Sequence, residues 1–257
     1  MNGLRGKVAI VIGGASGVGK ATALRLGEEG ALVVVGDIDE GGATTVAESI
    51  SRAGGTAQAR RADISDEDQV NDLVGFAHRT FGRVDLLHNV AADLGDTLLA
   101  DTDAETVPLD VFDRTIEVNL RGYLLSIRAV LPLMVEAGAG SIVNTSSLAA
   151  DRALATGARV AYSISKSGVH ALTRHVAIRY GRQGVRCNTA CLGLVLSEAL
   201  RATVPPERIA RYVEQVPNTN PGEPAAIAAA VAFLLSDDAR YINGQTINID
   251  GGSSVKQ

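Results

Sequence analysis

Tyr162 and Lys166 frame the segment "YSISK" in a chain of 257 residues that has only five tyrosines and four lysines. On a helix, the i, i+4 spacing sets the two side chains on one face, a turn apart. A cation held beside a phenol favours the phenolate and is expected to lower its pKa from about 10. Tyr162 would then serve as an acid or base near neutral pH. Two surface neighbours would look the same. With these counts roughly 0.08 such pairs arise by chance, so the pair calls for a site around it.

A second chemical signal lies near the start, in "GGASGVGKATALRL", where Gly13, Gly17 and Gly19 follow an apolar run and open a helical pattern. Glycines there let backbone N–H groups and the helix dipole face a pyrophosphate with no Cβ in the way. Asp37 stands eighteen residues beyond Gly19, at the end of the next apolar run. A carboxylate in that position can accept hydrogen bonds from a ribose 2′-hydroxyl and repels a 2′-phosphate. Neighbouring Asp39 and Glu40 supply no cation to offset it. Asp63, in "RADIS", would lie near an adenine or simply shape the turn before a helix, since Ser65 and Asp66 are natural caps.

The elements that must position these residues alternate. Apolar runs at 7–12, 31–37, 84–90, 140–146, 185–191 and 245–250 read as strands, with a weaker one at 56–60. Helical patterns occupy 18–29, 41–53, 66–81, 112–136, 160–181 and 225–235. Asp66 with Gln69 marks the start of the third helix, and Pro224 the start of the last. Near-continuous apolar strands separated by helices predict a doubly wound parallel α/β sheet covered on both faces. Ligands of such sheets bind at the carboxyl ends of the strands, where the candidate residues fall. No linker or repeat interrupts the chain, so one domain over 1–257 is expected.

Composition excludes other classes. A net charge of −5 and 4% aromatic residues argue against a nucleic-acid surface, which wants a basic stripe and stacking rings. Arg174, Arg179, Arg182 and Arg186 gather near a helix end and read as a solvated or subunit-contact face. The N-terminal apolar run is too short for a signal peptide, and no run reaches the ~18 uninterrupted apolar residues of a membrane span. Cys187 and Cys191 share one strand and cannot pair there. With no Cys/His cluster at ligand spacing, no metal is expected. A cytoplasmic protein fits these features.

Taken together, these motifs resemble the short-chain dehydrogenase/reductase family over essentially the full length. The resemblance implies a Rossmann-type three-layer α/β/α domain of about seven strands. It also implies a homodimer or homotetramer built on the helices flanking the fifth strand. Carried over by position, Asn119 in "VNL", Ser147 in "NTSS", and Tyr162 with Lys166 match the family's catalytic tetrad. Tyr162 would exchange a proton with the substrate oxygen, and Ser147 would polarise the carbonyl or hydroxyl. Lys166 would lower the phenol's pKa and hold the nicotinamide ribose, and Asn119 would hold a water linking Lys166 to solvent. Cofactor contacts are implied at Gly13, Ser16, Gly17, Val18, Gly19, Asp37, Ile38, Asp63, Ile64, Asn89 and Ala91. Tyr162, Lys166, Leu192, Gly193, Val195 and Ser197 complete that set.

The chain departs from the family pattern at Ile12 before the first glycine, at "NVAA" (Asn89 to Ala92), and at "LG" (Leu192, Gly193). None of these removes a proton-transferring group. His88 reads as a packed strand-end histidine rather than a base. Residues 93–113 carry seven acids and no Lys or Arg, either as a solvated loop or as a selector against anionic substrates. Residues 147 to 162 span slightly more than the family's usual interval, and 194–222 would form a lid. The expected activity is NAD-dependent interconversion of a secondary alcohol and its ketone, with NADP less favoured. A 3-oxoacyl-thioester reductase is the alternative, and a non-catalytic cofactor-binding scaffold is the rival from another class. The helix at 225–235 is apolar nearly all round, which would leave a monomer with a face to cover.

Overall fold

In a computed structural model, residues 1–153, 159–203, 205–214, 216–218 and 222–255 are described. Seven parallel strands form one sheet in the order β3-β2-β1-β4-β5-β6-β7. They are β1 (Val8–Ile12), β2 (Leu32–Asp37), β3 (Thr56–Arg61), β4 (Leu86–Asn89), β5 (Gly140–Ser147), β6 (Val185–Leu192) and β7 (Thr246–Ile249). Every residue of β1 is buried, as a central strand covered on both faces requires. At the edge, β3 carries the polar sequence TAQARR and is largely exposed, which explains its weaker apolar signal.

Ten α-helices are described: α1 (Gly17–Glu28), α2 (Glu40–Arg52), α3 (Glu67–Phe81), α4 (Asp96–Ala100), α5 (Leu109–Ile116), α6 (Gly122–Glu136), α7 (Val160–Tyr180), α8 (Glu198–Thr203), α9 (Pro206–Glu214) and α10 (Pro224–Leu235). One face of the sheet packs Val8, Ile10 and Ile12 against Leu73 of α3, Tyr123 of α6 and Val169 of α7. The other packs Ala9, Val11 and Val33 against Leu26 of α1, Val46 of α2 and Val231 of α10. The strand order reverses direction between β1 and β4, so the carboxyl ends of those strands open a crevice.

Local chemistry accounts for the element boundaries. Asp66 Oδ1 accepts from the amides of Asp68 and Gln69 at 3.0 and 3.1 Å, and Gln69 Nε2 reaches back to Asp66 Oδ2 at 2.7 Å, the start signal legible in the sequence. Gly82, at φ 77°, ends α3 in the left-handed conformation. The pattern at 112–136 does not form one uniform helix. A π-helical turn at Glu117–Arg121 separates α5 from α6, and Asn119 sits in it. The combined run Leu109–Glu136 is long and apolar enough to cross a membrane by composition, but 56% of its most apolar stretch is buried within the fold. It serves here as a core helix.

Two expectations are corrected by packing. Arg186 does not join an exposed arginine face. It lies on β6 and donates to the carbonyls of Leu234, Leu235, Ser236 and Ile242 at 2.9–3.3 Å, meeting the orphan acceptors at the end of α10. The apolar surface of α10 is largely covered inside one chain, with Ile227, Ala228, Val231, Ala232, Leu234 and Leu235 buried. Phe233 remains 38% exposed.

Candidate active site

At the end of β1 the chain turns through Gly13 into α1. A Cβ at Gly13 would lie 2.5 Å from the amide nitrogen of Ala91, and one at Gly19 would lie 1.9 Å from the carbonyl oxygen of Gly13. These two glycines therefore let β1, α1 and the loop after β4 close on one another. Gly17 differs. It has φ +50° and open space around it, the nearest atom to an added Cβ being Ser197 Cβ at 3.8 Å. Ser16 caps α1 without a side-chain hydrogen bond among the described residues. The first amides of α1, from Gly17 through Gly19, thus face an open cradle suited to a dinucleotide pyrophosphate.

Asp37 ends β2 beside this cradle. Its Oδ2 accepts from Ala15 N at 2.9 Å and its Oδ1 from Asp39 N at 3.0 Å. The carboxylate thus braces the glycine turn. Arg61 is its register partner on β3, and the Arg61 guanidinium donates to Gln69 Oε1 at 3.1 Å. Ile38 is 55% exposed. Asp63 shapes its own turn, accepting from the Ser65 amide at 2.9 Å and hydroxyl at 2.6 Å.

Several residues implied as cofactor contacts direct their side chains elsewhere. Ile64 is buried in the core. The Asn89 amide is buried, donating to Asn144 Oδ1 at 3.0 Å and accepting from Ser126 Oγ at 2.8 Å. What these two residues can offer a cofactor is backbone. Leu192 is buried. Ser197 Oγ accepts from Leu200 N at 3.2 Å and so caps α8. Val18 packs partly against the core, and Ala91 lies at the Gly13 contact. A Cβ at Gly193 would meet Asp250 Cα at 2.8 Å, and Val195 bridges to Gly222. That bridge joins the two ends of the segment expected to form a lid. Residues 204, 215 and 219–221 of the lid, and 154–158 of the long interval, lie outside the described residues.

The proton-transfer candidates meet where β5 ends against α7. Ser147 is the last residue of β5, half-buried, with Oγ accepting from Ala149 N at 3.2 Å. Tyr162 lies in the first turn of α7 and Lys166 one turn later. Lys166 Nζ is buried, donates to Thr145 O at 3.1 Å, and sits 5.1 and 5.7 Å from the ring centroids of Tyr123 and Tyr162. Asn119 Oδ1 accepts from Asp93 N at 2.9 Å, and its Nδ2 is 3.4 Å from Ser165 Oγ. Ser165 Oγ in turn donates to Tyr162 O at 2.7 Å. The π turn, the β4 loop and α7 are thereby linked through one amide side chain.

The electrostatics of the half-buried Tyr162 run against the expected phenol shift. Burial raises the Tyr162 pKa, and hydrogen bonding by Ser147 and the charge of Arg159 only partly oppose this. Burial also lowers Lys166 to about 7, so near neutral pH much of its charge is gone. Desolvation acts on both partners toward their neutral forms. His88 behaves as a packed histidine: Nε2 lies 2.9 Å from Thr145 Oγ1, and burial lowers its pKa to about 3.

One residue of the acidic stretch has a role that its sequence setting did not disclose. Asp101 is 4% exposed. Its Oδ1 accepts from Ala161 N at 3.1 Å and its Oδ2 from Tyr162 N at 2.8 Å, while Thr102 O accepts from Val160 N at 3.0 Å. All three leading amides of α7 are met from residues 101 and 102, supplying a cap that α7's own N-cap residue, Arg159, does not. Asp93 and Asp103 are also engaged, with Asp93 Oδ2 3.8 Å from Arg114 and Asp103 accepting from Thr106 N at 3.0 Å. The segment is therefore more than a solvated acidic loop.

A family model described as enoyl-(acyl carrier protein) reductase matches residues 13–254. A 2,5-dichloro-2,5-cyclohexadiene-1,4-diol dehydrogenase of Sphingobium indicum is 36% identical over 99% of this chain and 98% of its own. A 7alpha-hydroxysteroid dehydrogenase of Bacteroides fragilis is 33% identical over 99% and 97%. The crystal structure of a levodione reductase superposes with TM-score 0.91 at 34% identity, covering 98% of this chain and 99% of that one.

Proposed function

We propose a reaction for a chain that belongs to the short-chain dehydrogenase/reductase family: NAD(H)-dependent interconversion of a secondary alcohol and its ketone. Family membership makes it an oxidoreductase using a nicotinamide cofactor. The observation that carries the finer reading is the meeting of Ser147, Tyr162 and Lys166 at the end of β5, with Asn119 tied to the same helix. When bound, the cofactor supplies a hydride acceptor or donor at its nicotinamide ring. The chain's own groups do the rest. Tyr162 Oη gives a proton to the ketone oxygen or takes one from the alcohol, and Ser147 Oγ hydrogen-bonds the same oxygen and orients it. The free phenol is protonated near neutral pH, the form that reduction requires, and its upward shift on burial makes it a weaker donor until the neighbouring groups offset it. As a base it depends on nearby positive charge, which Arg159 supplies, together with Lys166 in the fraction that stays protonated. Asn119 links the π turn to α7 and, on this reading, holds the water that reconnects Lys166 to solvent.

Cofactor preference rests on Asp37, whose carboxylate is fixed beside the glycine turn where a 2′-phosphate would meet it. Arg61 is the cation that could soften this preference, and its tie to Gln69 directs it away. Relatives named for a diol, a hydroxysteroid and levodione support an alcohol–ketone substrate. On the same reading, the protein is a cytoplasmic homo-oligomer with one nucleotide-binding domain over 1–257 and a substrate lid at about 194–222.

The test begins with dissociation constants for NADH and NADPH on the unaltered protein. A discrimination of ~3 kcal/mol would make NADH about a hundredfold tighter. Equal affinities, or tighter NADPH, would reduce Asp37 to a brace for the turn. An absorbance screen of secondary alcohols, ketones and 3-oxoacyl thioesters follows. Turnover confined to the thioesters would favour the alternative reductase, and cofactor binding with no turnover across the screen would favour a scaffold.

A further inference from the structure

Behind the proton-transfer residues lies a second cluster that the proposed reaction does not use. Asp151 follows the 3-10 turn after β5, His170 lies on α7 one turn beyond Lys166, and Cys191 lies near the end of β6. One ligand-type atom from each falls within 4.8 Å of the other two. Three elements distant along the chain thus supply a carboxylate, an imidazole and a thiol, so no ligand spacing between neighbouring residues marks them. Cys191 is fully buried, His170 is 7% exposed, and the Asp151 side chain is 54% exposed and provides the way in.

The convergence of the three ligand atoms carries the argument, and His170 turns its Nδ1 toward the carboxylate. His170 Nδ1 lies 3.6 Å from Asp151 Oδ1, too far for a hydrogen bond. Its Nε2 is buried with no hydrogen-bond partner among the described residues. A buried polar atom left unpaired is costly and calls for an explanation. Cys191 has no disulfide partner. Asp250, which also bears electrostatically on Cys191, is engaged by Gly252 N at 2.9 Å and Ser254 N at 2.7 Å and adds negative field without offering a free oxygen. Arg174 is the opposing positive charge at His170.

We propose that Asp151, His170 and Cys191 form a binding site for a zinc-class divalent cation, with solvent completing a four-coordinate shell. One sulfur, one nitrogen and one oxygen suit a borderline-soft ion and are a poor set for magnesium or calcium. Binding displaces the thiol proton to solvent as the sulfur–metal bond forms, and His170 Nδ1, the ring nitrogen facing Asp151, is the imidazole ligand. The site adjoins the reaction centre. Asp151 is four residues beyond Ser147, His170 is four beyond Lys166, and Cys191 pairs in register with Ser146. An occupied site ties the segment after Ser147 to α7.

The experiment titrates cobalt(II) into chelator-treated, full-length protein and follows the thiolate-to-cobalt charge-transfer absorption. The expected result is saturation at one equivalent, reversal on adding zinc, and an unchanged band in Cys187→Ser. Cys191→Ser should abolish the band. Asp151→Asn, altered at a half-exposed position outside the proton-transfer group, should fold normally and weaken binding by roughly tenfold or more for the loss of one ligand. Absence of a cobalt–thiolate band in folded wild type overturns the proposal. So does a band surviving Cys191→Ser, or undiminished affinity in Asp151→Asn. None of these outcomes depends on finding the substrate.

Discussion

Replacing Asp101 tests how α7 is held. The residue is buried and accepts from two amides of that helix, at 3.1 and 2.8 Å. A capping side chain contributes about 0.5–2 kcal/mol, and each buried N–H left unmet costs about 1–3 kcal/mol. Because Thr102 O still meets Val160 N, we take about 2–3 kcal/mol for Asp101→Ala. At this chain length each kcal/mol moves Tm by about 2–4 °C, so Tm should fall by about 4–12 °C at fixed protein concentration. Tyr162 is one of the two residues whose amide is released, and a ~1 Å displacement of a reacting group costs about 10²-fold. We therefore expect kcat to drop by ~10–100-fold. NADH affinity should change little, because the glycine turn is untouched. Asp101→Asn keeps one acceptor oxygen and should recover at least half of both losses. Thermal melts, steady-state kinetics and NADH titration on the three proteins decide the matter. An Ala variant that melts within 1 °C of wild type with its kcat intact would refute the argument. A parallel loss of NADH binding would mean that Asp101 supports the whole fold rather than this helix.

Further outcomes follow from the buried lysine, the carboxylate and the exposed helix faces. Lys166 has its folded pKa lowered to about 7 from 10.5, so burying it penalises the fold fully below pH 7 and progressively less up to pH 10.5. Lys166→Met should be more stable than wild type at pH 6, with the advantage fading by about pH 10; a difference independent of pH would contradict the shift. Asp37→Ser loses the bonds to Ala15 N and Asp39 N as well as the charge, so NADH binding should weaken and the gap to NADPH shrink; an unchanged gap in paired titrations would acquit the carboxylate. Leu124 on α6 with Ile164 and Ile178 on α7 are 42%, 46% and 86% exposed, which supports assembly through those helices. Light scattering should report a dimer or tetramer, and a monomer at working concentration would count against it.

The parts of the fold legible in the sequence were those where one local rule decides. Continuous apolar strands, the Asp66–Gln69 box and the glycines after β1 each state their conformation within a few residues. Distant packing decided the rest. The π turn at Asn119 has no local signature, and the partners of its Asn119 side chain, Asp93 and Ser165, are brought close only by the tertiary fold. Asp101 reads as one acid among seven until the start of α7 is laid over it. Spacing did place Tyr162 and Lys166 on one face, but it gave the wrong sign for the phenol's shift. Sequence reports which charges are near and says little of how much water is lost, and here desolvation outweighs the neighbouring charge. Asn89 and Ser197 lie at the strand and helix ends the family pattern implies, but the core and the α8 cap engage their side chains.

The central claim is that the Tyr162 hydroxyl carries the proton in an NAD(H)-linked reaction. Tyr162→Phe removes that hydroxyl and leaves the glycine turn and Asp37 in place. With a substrate found in the alcohol–ketone screen, turnover should fall by roughly 10²–10⁴-fold, while NADH titrates the variant with near-normal affinity. A Phe variant retaining more than about a tenth of wild-type turnover would take Tyr162 out of the mechanism.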